Sequence, residues 1–542
     1  MASVALLLLA PAAARAQTVR ICAIQGPGAI PPMLGSRVSA SGVVTADFQS
    51  SAGGFYMQEP GCDADAATSD GIFVSAPGRT APLTVGNRVT VTGRVTNDAG
   101  LTALVLESLS DGGPYAGTLE AVRLSPPVDA VAAAAYLEAY EGMLVSLPLS
   151  RVVAATDHAG ASYVMPDSSG VTRLFRGESD GRKLGLAVPG GWLMVSQGDR
   201  VSDVTGVLKE ASGQFEVDIP PARTMTVERS GAVPPDAGSA AASLTVATLN
   251  LQGLFDTVDD PGKDDEVPAP ADYASGLDRR ANSIGRYLGR PDVIGVQEAE
   301  KIEVLQDLAA LPSLIATGYR AVLVEGIDPR GLDVGLLYNS GRVRLRASEA
   351  RPVCSALRPP SGPAVSCALS GGGSGFLLFT RPPLVARLEA TDNGERLTVV
   401  VNHFADPSAD PAADDQLRVA QADAVRALVD ELKAAEPDVP VVVLGDFNAV
   451  EDSVPLQHLT AGGRLVNPIA RSGSDRPYTH TVRGLCENVD HVLVDATLAP
   501  RVAEAKALHV NVDFGDPGPG AAPQASPRAS DHDPVRVVLA RR

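Results

Sequence analysis

In the C-terminal half of the chain, runs of apolar and largely β-branched residues repeatedly adjoin a polar tip. Val441-Val442-Val443-Leu444 leads into Gly445-Asp446-Phe447-Asn448, Val399-Val400-Val401 into Asn402-His403, and Leu244 to Leu249 into Asn250. Pro291-Asp292-Val293-Ile294-Gly295-Val296-Gln297 ends on Glu298, and the same pairing recurs at Asn488 to Val494, around Asp490, and at Ser530-Asp531-His532-Asp533-Pro534-Val535. A short apolar run bounded by turn residues predicts a buried central strand. Helical patterns over Leu277–Leu288, with Arg279, Arg280 and Arg286, and over Asp414–Ala435 alternate with these strands, which is the α/β signature. Polar groups just past a strand's carboxyl end sit where such sheets bind ligands. Taken singly, Gly445, Asp446 and Asn448 are ordinary turn formers; it is their company that gives them meaning.

The N-terminal half reads differently. Val38 to Thr45, Gly71 to Val74 and Asn87 to Val95 alternate at period two between Gly and Pro turns, predicting half-buried strands. The frame repeats: Gly198-Asp199-Arg200-Val201 through Thr205-Gly206-Val207 answers Gly86-Asn87-Arg88-Val89 through Thr92-Gly93-Arg94-Val95, and Glu141 to Val145 answers the first opening strand. Two small all-β barrels are expected, over 17–112 and 118–230, either binding a polymer or serving as spacer and packing face. Aromatics for base stacking are few, with Phe55, Tyr56 and Phe73 in one copy and Phe175, Trp192 and Phe215 in the other. A Pro-, Gly-, Ser- and Ala-rich stretch over 231–243 reads as a linker to an α/β domain over 244–542.

Composition narrows the class. At 542 residues, 45% hydrophobic and 20% charged, the chain has the makings of two or three globular domains. Residues 1–16 read as a signal peptide, with an apolar run from Val4 to Ala10 and the small-residue site Ala14-Arg15-Ala16, although no Lys or Arg precedes the run. That run is too short to span a bilayer, and no later segment reaches roughly 18 consecutive apolar residues, so a secreted or periplasmic protein without a membrane span is expected. Five cysteines in an exported chain permit disulfides; proximity favours Cys22 with Cys62 and Cys354 with Cys367, leaving Cys486 over. No Cys-x-x-Cys is present, which argues against a zinc finger. The formal charge of −19 argues against passive coating of nucleic acid, but not against an enzyme whose bound cation supplies local positive charge. The acidic loop Asp256–Asp272 is either a solvated loop or a calcium site.

Asn250, Glu298, His403, Asp446, Asn448, Asp490, Asp531 and His532 all fall at or beyond predicted strand ends. Two stacked sheets sharing an open end would bring them to one cleft. Thr248-Leu249-Asn250, Gln297-Glu298, Asn402-His403, Gly445-Asp446-Phe447-Asn448, Val489-Asp490-His491 and Ser530-Asp531-His532-Asp533-Pro534 together resemble the signatures of the endonuclease/exonuclease/phosphatase, or deoxyribonuclease-I-like, phosphoesterases. The β region resembles the OB-fold-like modules placed ahead of secreted nuclease domains. The fold this implies is two OB-like barrels followed by a four-layer α/β sandwich, two packed sheets flanked by helices.

The activity implied is divalent-metal-dependent hydrolysis of phosphodiester bonds in DNA, with RNA a further substrate. Glu298, Asn250 and Asp531 would ligate Mg²⁺ or Mn²⁺, Ca²⁺ being the further candidate. His532 would be the acid/base or phosphate-contacting imidazole, oriented by Asp490. Asp446 would orient or deprotonate the attacking water, Asn448 would hydrogen-bond the phosphoryl oxygen, and His403 would contact the phosphate from the opposite side or protonate the leaving oxygen. Glu298-Ala299-Glu300-Lys301 departs from deoxyribonuclease I in lacking an Arg two residues after the metal-site Glu, and Arg330 is the candidate replacement for phosphate binding. His491, beside Asp490 on a strand, is expected to face the other way as a structural residue. The partner implied is nucleic acid as substrate, and no protein partner is evident. Two rivals stand: a phosphoesterase of the same fold acting on a lipid head group or inositol phosphate, and a polymer-binding protein with an inert phosphoesterase domain.

Overall fold

The structure is a computed structural model that describes residues 16–78, 82–211, 213–238, 243–360, 362–471 and 476–540. The expected signal peptide, but for residue 16, lies outside the described residues, as do residues 239–242 of the linker.

Two six-stranded sheets form the C-terminal domain. In chain order the strands are β1 (Leu244–Leu254), β2 (Val293–Ala299), β3 (Tyr319–Val324), β4 (Asp333–Asn339), β5 (Val343–Ala350), β6 (Leu384–Ala390), β7 (Arg396–His403), β8 (Val441–Asp446), β9 (Leu465–Val466), β10 (Asp490–Asp495), β11 (Val502–Ala507) and β12 (Val535–Leu539). One sheet runs β3-β4-β2-β1-β12-β11 and the other β5-β6-β7-β8-β10-β9. Successive side chains of a strand point to opposite faces, and here each parity has its own core. Val246, Val293, Leu336, Val399, Val401, Val442, Leu444, Val492 and Val537 meet between the sheets. Their neighbours Ala247, Ile294 and Leu337 pack outward against helices α1 (Pro270–Asn282) and α2 (Ile302–Ala310), while Val400, Val443 and Leu493 pack outward against α3 (Pro411–Ala435). The result is helix, sheet, sheet, helix, which is why the central strands read as unbroken apolar runs. Close approach of the sheets requires Gly295: a Cβ there would lie 2.1 Å from Leu444 Cδ1.

Helix boundaries differ from the sequence pattern. The helix expected over Leu277–Leu288 starts at Pro270, whose missing N–H costs nothing in a first turn, and passes into a π-turn over Ser283–Tyr287. α3 begins at Pro411, earlier than the apolar periodicity indicates, capped by the Asp410 carboxylate accepting from the Ala413 N–H at 3.2 Å.

Among the described residues the N-terminal region is mostly strand, with two short α-helices, Ile21–Gln25 and Ala130–Glu138. In its first sheet Arg37–Phe48 pairs with both Gly54–Gln58 and Asn87–Asp98, while Gly71–Ser75 pairs with both Gly54–Gln58 and Leu101–Pro114. Val89, Val91 and Val95 point inward as their alternation requires. The second copy departs from the first: the strand answering Asn87–Asp98 is broken into Arg200–Ser202 and Thr205–Ala211 at Asp203, whose φ is 61°. Cys22–Cys62 and Cys354–Cys367 are disulfide-bonded and Cys486 is a buried free thiol. The aromatics considered for stacking are committed elsewhere: Phe55 and Tyr56 are buried, and Trp192 donates its indole N–H to the Asp516 carbonyl in the C-terminal domain.

Candidate active site

Strand register brings the polar tips together. β7 and β8 are parallel with His403 opposite Asp446, and β8 and β10 are antiparallel with Asp446 opposite Asp490, so these three stand on adjoining strands at one level. In the facing sheet Asn250 is opposite Gln297, one residue before Glu298. Antiparallel pairing of Thr248 with Val535 carries Asp531 and His532 past the same end, where the Ser530 hydroxyl donates to the Asn250 carbonyl at 2.8 Å. Gly445, at φ 142°, lets β8 lie against β7: a Cβ there would be 1.9 Å from the Asn402 carbonyl oxygen. Glu298 and Asn448 themselves hold positive φ, 62° and 46°, backbone strain of the kind that accumulates at functional sites.

Asp446 Oδ2 is the hub. It lies 3.1 Å from the Asn250 Nδ2, 3.5 Å from the His403 Nε2 and 3.8 Å from the His532 Nε2. Asn250 also donates to Glu298 Oε1 at 3.2 Å, tying the two sheets' carboxylates to one amide. Its own Oδ1 accepts from the Gln252 N–H at 2.8 Å, which leaves that oxygen one further lone pair for a ligand. Glu298 Oε2 accepts from the Gly253 N–H at 2.8 Å. His532 Nδ1 meets Asp490 Oδ2 at 2.8 Å, and Asp490 is held from behind as its N–H and that of Val489 donate to Thr479 Oγ1 at 3.1 Å. Burial opposes charge on His532, but the carboxylates of Asp490, Asp446 and Asp531 outweigh it and hold the imidazole well above the ordinary histidine range. Burial likewise raises Asp531, and His532 foremost with His480 and Arg528 turns the net shift downward.

Asn448 faces the far side of the hub. Its N–H donates to Asp446 Oδ1 at 2.8 Å and its amide nitrogen approaches the Phe404 carbonyl at 3.3 Å and Asp406 Oδ1 at 3.4 Å. Arg330 donates to Asp406 Oδ2 at 2.9 Å and lines the groove with Glu298 and Asp531. That groove, about 790 Å³, is also lined by Arg279, Arg280, Arg528 and His158. His491 turns the other way, as its strand position requires, its Nε2 2.9 Å from the Ala449 carbonyl. The acidic loop is partly neutralised from within, since Lys301 Nζ lies 3.0 Å from Asp256 Oδ2 and 3.1 Å from Asp260 Oδ2.

Two residues of the site are absent from the strand-tip pattern. Asp406, 3.3 Å from His403 Nε2, is gripped by the buried Arg381 at 2.8 Å; burial raises its carboxyl, but Arg381 and His403 bring it far below the usual range. Its signal was only its place three residues after His403 in a loop. His480 stacks on the His532 ring, centroids 4.4 Å apart and planes at 15°, with Nδ1 3.2 Å from Glu487 Oε1. It sits on a hairpin of two three-residue strands, His480–Val482 and Leu485–Glu487, too short for periodicity to reveal.

The sequence model of the Endonuclease/Exonuclease/phosphatase family matches residues 247–532, more than half of the chain. The chain belongs to that family. Members of the endonuclease/exonuclease/phosphatase family are hydrolases of phosphodiesters or phosphate esters and generally use divalent metal ions. Among solved structures, the chain is similar to the human Nocturnin catalytic domain with bound sulfate (16% identity, TM-score 0.38, covering 56% of this chain and 95% of that one). It is similar to a mannosyl-6-phosphatase of Bacteroides thetaiotaomicron (18%, 0.37, 54% and 98%) and to D. rerio TDP2 complexed with a single-strand DNA product (18%, 0.36, 55% and 98%). Comparison with curated proteins finds no match.

The donor set at the hub suits a hard divalent cation. Glu298 and Asp531 line the same groove and offer oxygen ligands, and two clusters, Asp531 with His480 and His532 and Asp446 with Asp490 and His532, each hold their ligand atoms within 4.8 Å of one another, a concentration of carboxylates that a cation would offset. No described helix is long and apolar enough to cross a membrane.

Proposed function

We propose that this protein is an exported, divalent-metal-dependent nuclease that hydrolyses phosphodiester bonds of DNA, and of RNA as a further substrate. The carrying observation is that Asp446 Oδ2 lies within 4 Å of both His403 and His532 while Asn250 joins it to Glu298. When bound at Glu298, Asp531 and Asn250, Mg²⁺ or Mn²⁺ supplies charge neutralisation at a phosphoryl oxygen.

The chain's own residues account for the rest. Asp446 orients the attacking water and receives its proton. His532, its Nδ1–H held by Asp490 and its imidazolium form favoured by its carboxylate neighbours, donates from Nε2 toward phosphate oxygen. His403 stands on the other side of Asp446 to contact the phosphate or protonate the leaving oxygen, and Asp406 orients it. Asn448, its N–H bonded to Asp446, presents an amide to the phosphoryl oxygen as charge develops. Arg330 is the phosphate clamp at the groove wall.

Support for the polymer reading is the groove of about 790 Å³, in which Arg279, Arg330 and Arg528 stand among the carboxylates of Asp264, Asp265, Glu266 and Asp516; a head group needs one closed pocket with a single phosphate site. Two OB-like units over 17–112 and 118–230 are part of the same reading, supported by the reciprocal strand pairings of the first sheet. Plasmid, RNA, sphingomyelin and an inositol phosphate, each offered with Mg²⁺ and with chelator, decide the substrate. Lipid-only or inositol-phosphate-only turnover would replace the nuclease reading, and inactivity on all four would leave the polymer-binding one.

A further inference from the structure

The loop of the C-terminal domain over 511–533 carries Asp531 and His532, and it is moored to the second β unit along its length. Gln197 N–H donates to the Asp513 carbonyl at 2.9 Å, Asp516 N–H to the Thr156 carbonyl at 2.8 Å, and Arg528 Nη1 to the same Thr156 carbonyl at 3.2 Å. Arg173 pairs with Asp513 at 2.9 Å. Gly518 lies flat on Trp192, where a Cβ would come within 2.7 Å of the indole. The His480 hairpin is held by the same unit: Cys486 N–H donates to the Leu174 carbonyl at 2.8 Å and Arg176 N–H to the Cys486 carbonyl at 3.0 Å. The unit is thus built into the reaction centre's supports, and its turn after Thr156 reaches the groove.

That turn is rigidly made. Asp157 Oδ1 accepts from the N–H groups of Ala159 and Ala161 at 2.9 and 3.0 Å, and Asp157 N–H donates to the Ala161 carbonyl at 2.8 Å. Gly160, at φ 83°, is seated against Trp192. The side chain at the tip is His158, exposed, unneeded by any core, and lining the groove that holds Glu298, Arg330 and Asp531.

We propose that the second β unit forms one wall of the substrate groove and that His158 contacts a backbone phosphate flanking the scissile one. The inference rests on the nuclease reading and adds to it that the substrate is a strand long enough to reach past the reaction centre to the β unit. A phosphate contact made equally in the ground state and the transition state lowers KM without changing kcat.

The full-length protein with Mg²⁺ is assayed on a single-stranded oligonucleotide and on bis(p-nitrophenyl) phosphate, a diester too short to reach the β unit. His158→Ala is expected to raise KM on the oligonucleotide about 3–10-fold with kcat unchanged and both constants on the small diester unchanged. His158→Arg, which supplies hydrogen-bond donors at the same position, is expected to return KM to the wild-type value or below. Unchanged oligonucleotide KM in His158→Ala, or an equal loss on both substrates, overturns the role of His158 while leaving the nuclease reading in place. A wild-type protein inactive on both substrates overturns the nuclease reading and this inference with it.

Discussion

The Asp490 carboxylate meets the His532 imidazole at 2.8 Å, Oδ2 to Nδ1, and both side chains are buried. A carboxylate in this position fixes the tautomer and stabilises the imidazolium, so the two act as one unit. His532→Ala and Asp490→Asn are each expected to lower kcat by about 10²–10⁴ with far-UV circular dichroism unchanged. The double variant should be no slower than His532→Ala alone, because groups acting through one another are not additive. Multiplying losses would show that Asp490 acts independently of His532.

Asp406 gathers Arg381, Arg330, His403 and Asn448. Asp406→Ala leaves the buried Arg381 guanidinium with Asp328 as its remaining carboxylate, 3.5 Å away. A loss of about 1–3 kcal/mol is expected, below the full cost of stranding a buried charge because Asp406 is partly exposed. Thermal melting reads the stability and turnover reads the site; kcat should fall as His403 loses its orienting partner. A variant with unchanged melting and kcat would show that Asp406 is a bystander.

Gly295→Ala tests the sandwich itself. The added methyl has Leu444 at 2.1 Å and Val401 at 3.1 Å, both in the facing sheet's core. Overpacking of this kind costs about 1–3 kcal/mol, so a lower melting temperature is expected. An unshifted transition would mean that the sheets are farther apart than described.

A pH dependence of stability follows from Glu141, which is fully buried in the N-terminal region with Oε2 accepting from the Thr102 N–H at 3.2 Å. Burial, then the charge of Glu138, pushes its carboxyl up to about 8. A folded value above the unfolded one of about 4.3 means that the folded state holds the proton more tightly. Its stabilisation is complete below about pH 4.3 and is lost as pH rises through about 8. Glu141→Gln keeps an acceptor for Thr102 and removes the charge, so the variant should melt higher than wild type above about pH 8 and show little difference near pH 4. Equal shifts at both pH values would place the carboxylate in solvent.

How much of this the residues disclosed varies with the length of the signal. β1, β2, β7, β8 and β10 were legible because strands buried on both faces have no polar alternation to blur them, and their tips carried Asn250, Glu298, His403, Asp446 and Asp490. The start of α1 at Pro270 was not, because its first turn is polar and apolar periodicity begins only near Leu277. His480 and Asp406 were hidden for another reason: each lies on a segment too short or irregular for pattern, and each is placed by long-range partners, His532 and Arg381. Mooring of the second β unit on the 511–533 loop left no trace in periodicity, since it runs through main-chain groups that every residue possesses.

The central claim is that Glu298, Asp446 and His532 act around one phosphodiester with a divalent cation. Nicking of supercoiled plasmid by the purified protein, with Mg²⁺ and after chelation, measured alongside Glu298→Gln and His532→Ala, tests it directly. Metal-dependent nicking by the wild type, abolished by chelator and reduced at least about 10²-fold in both variants, is the expected result. Nicking that survives chelation, or that persists at wild-type rate in either variant, would contradict a shared reaction centre.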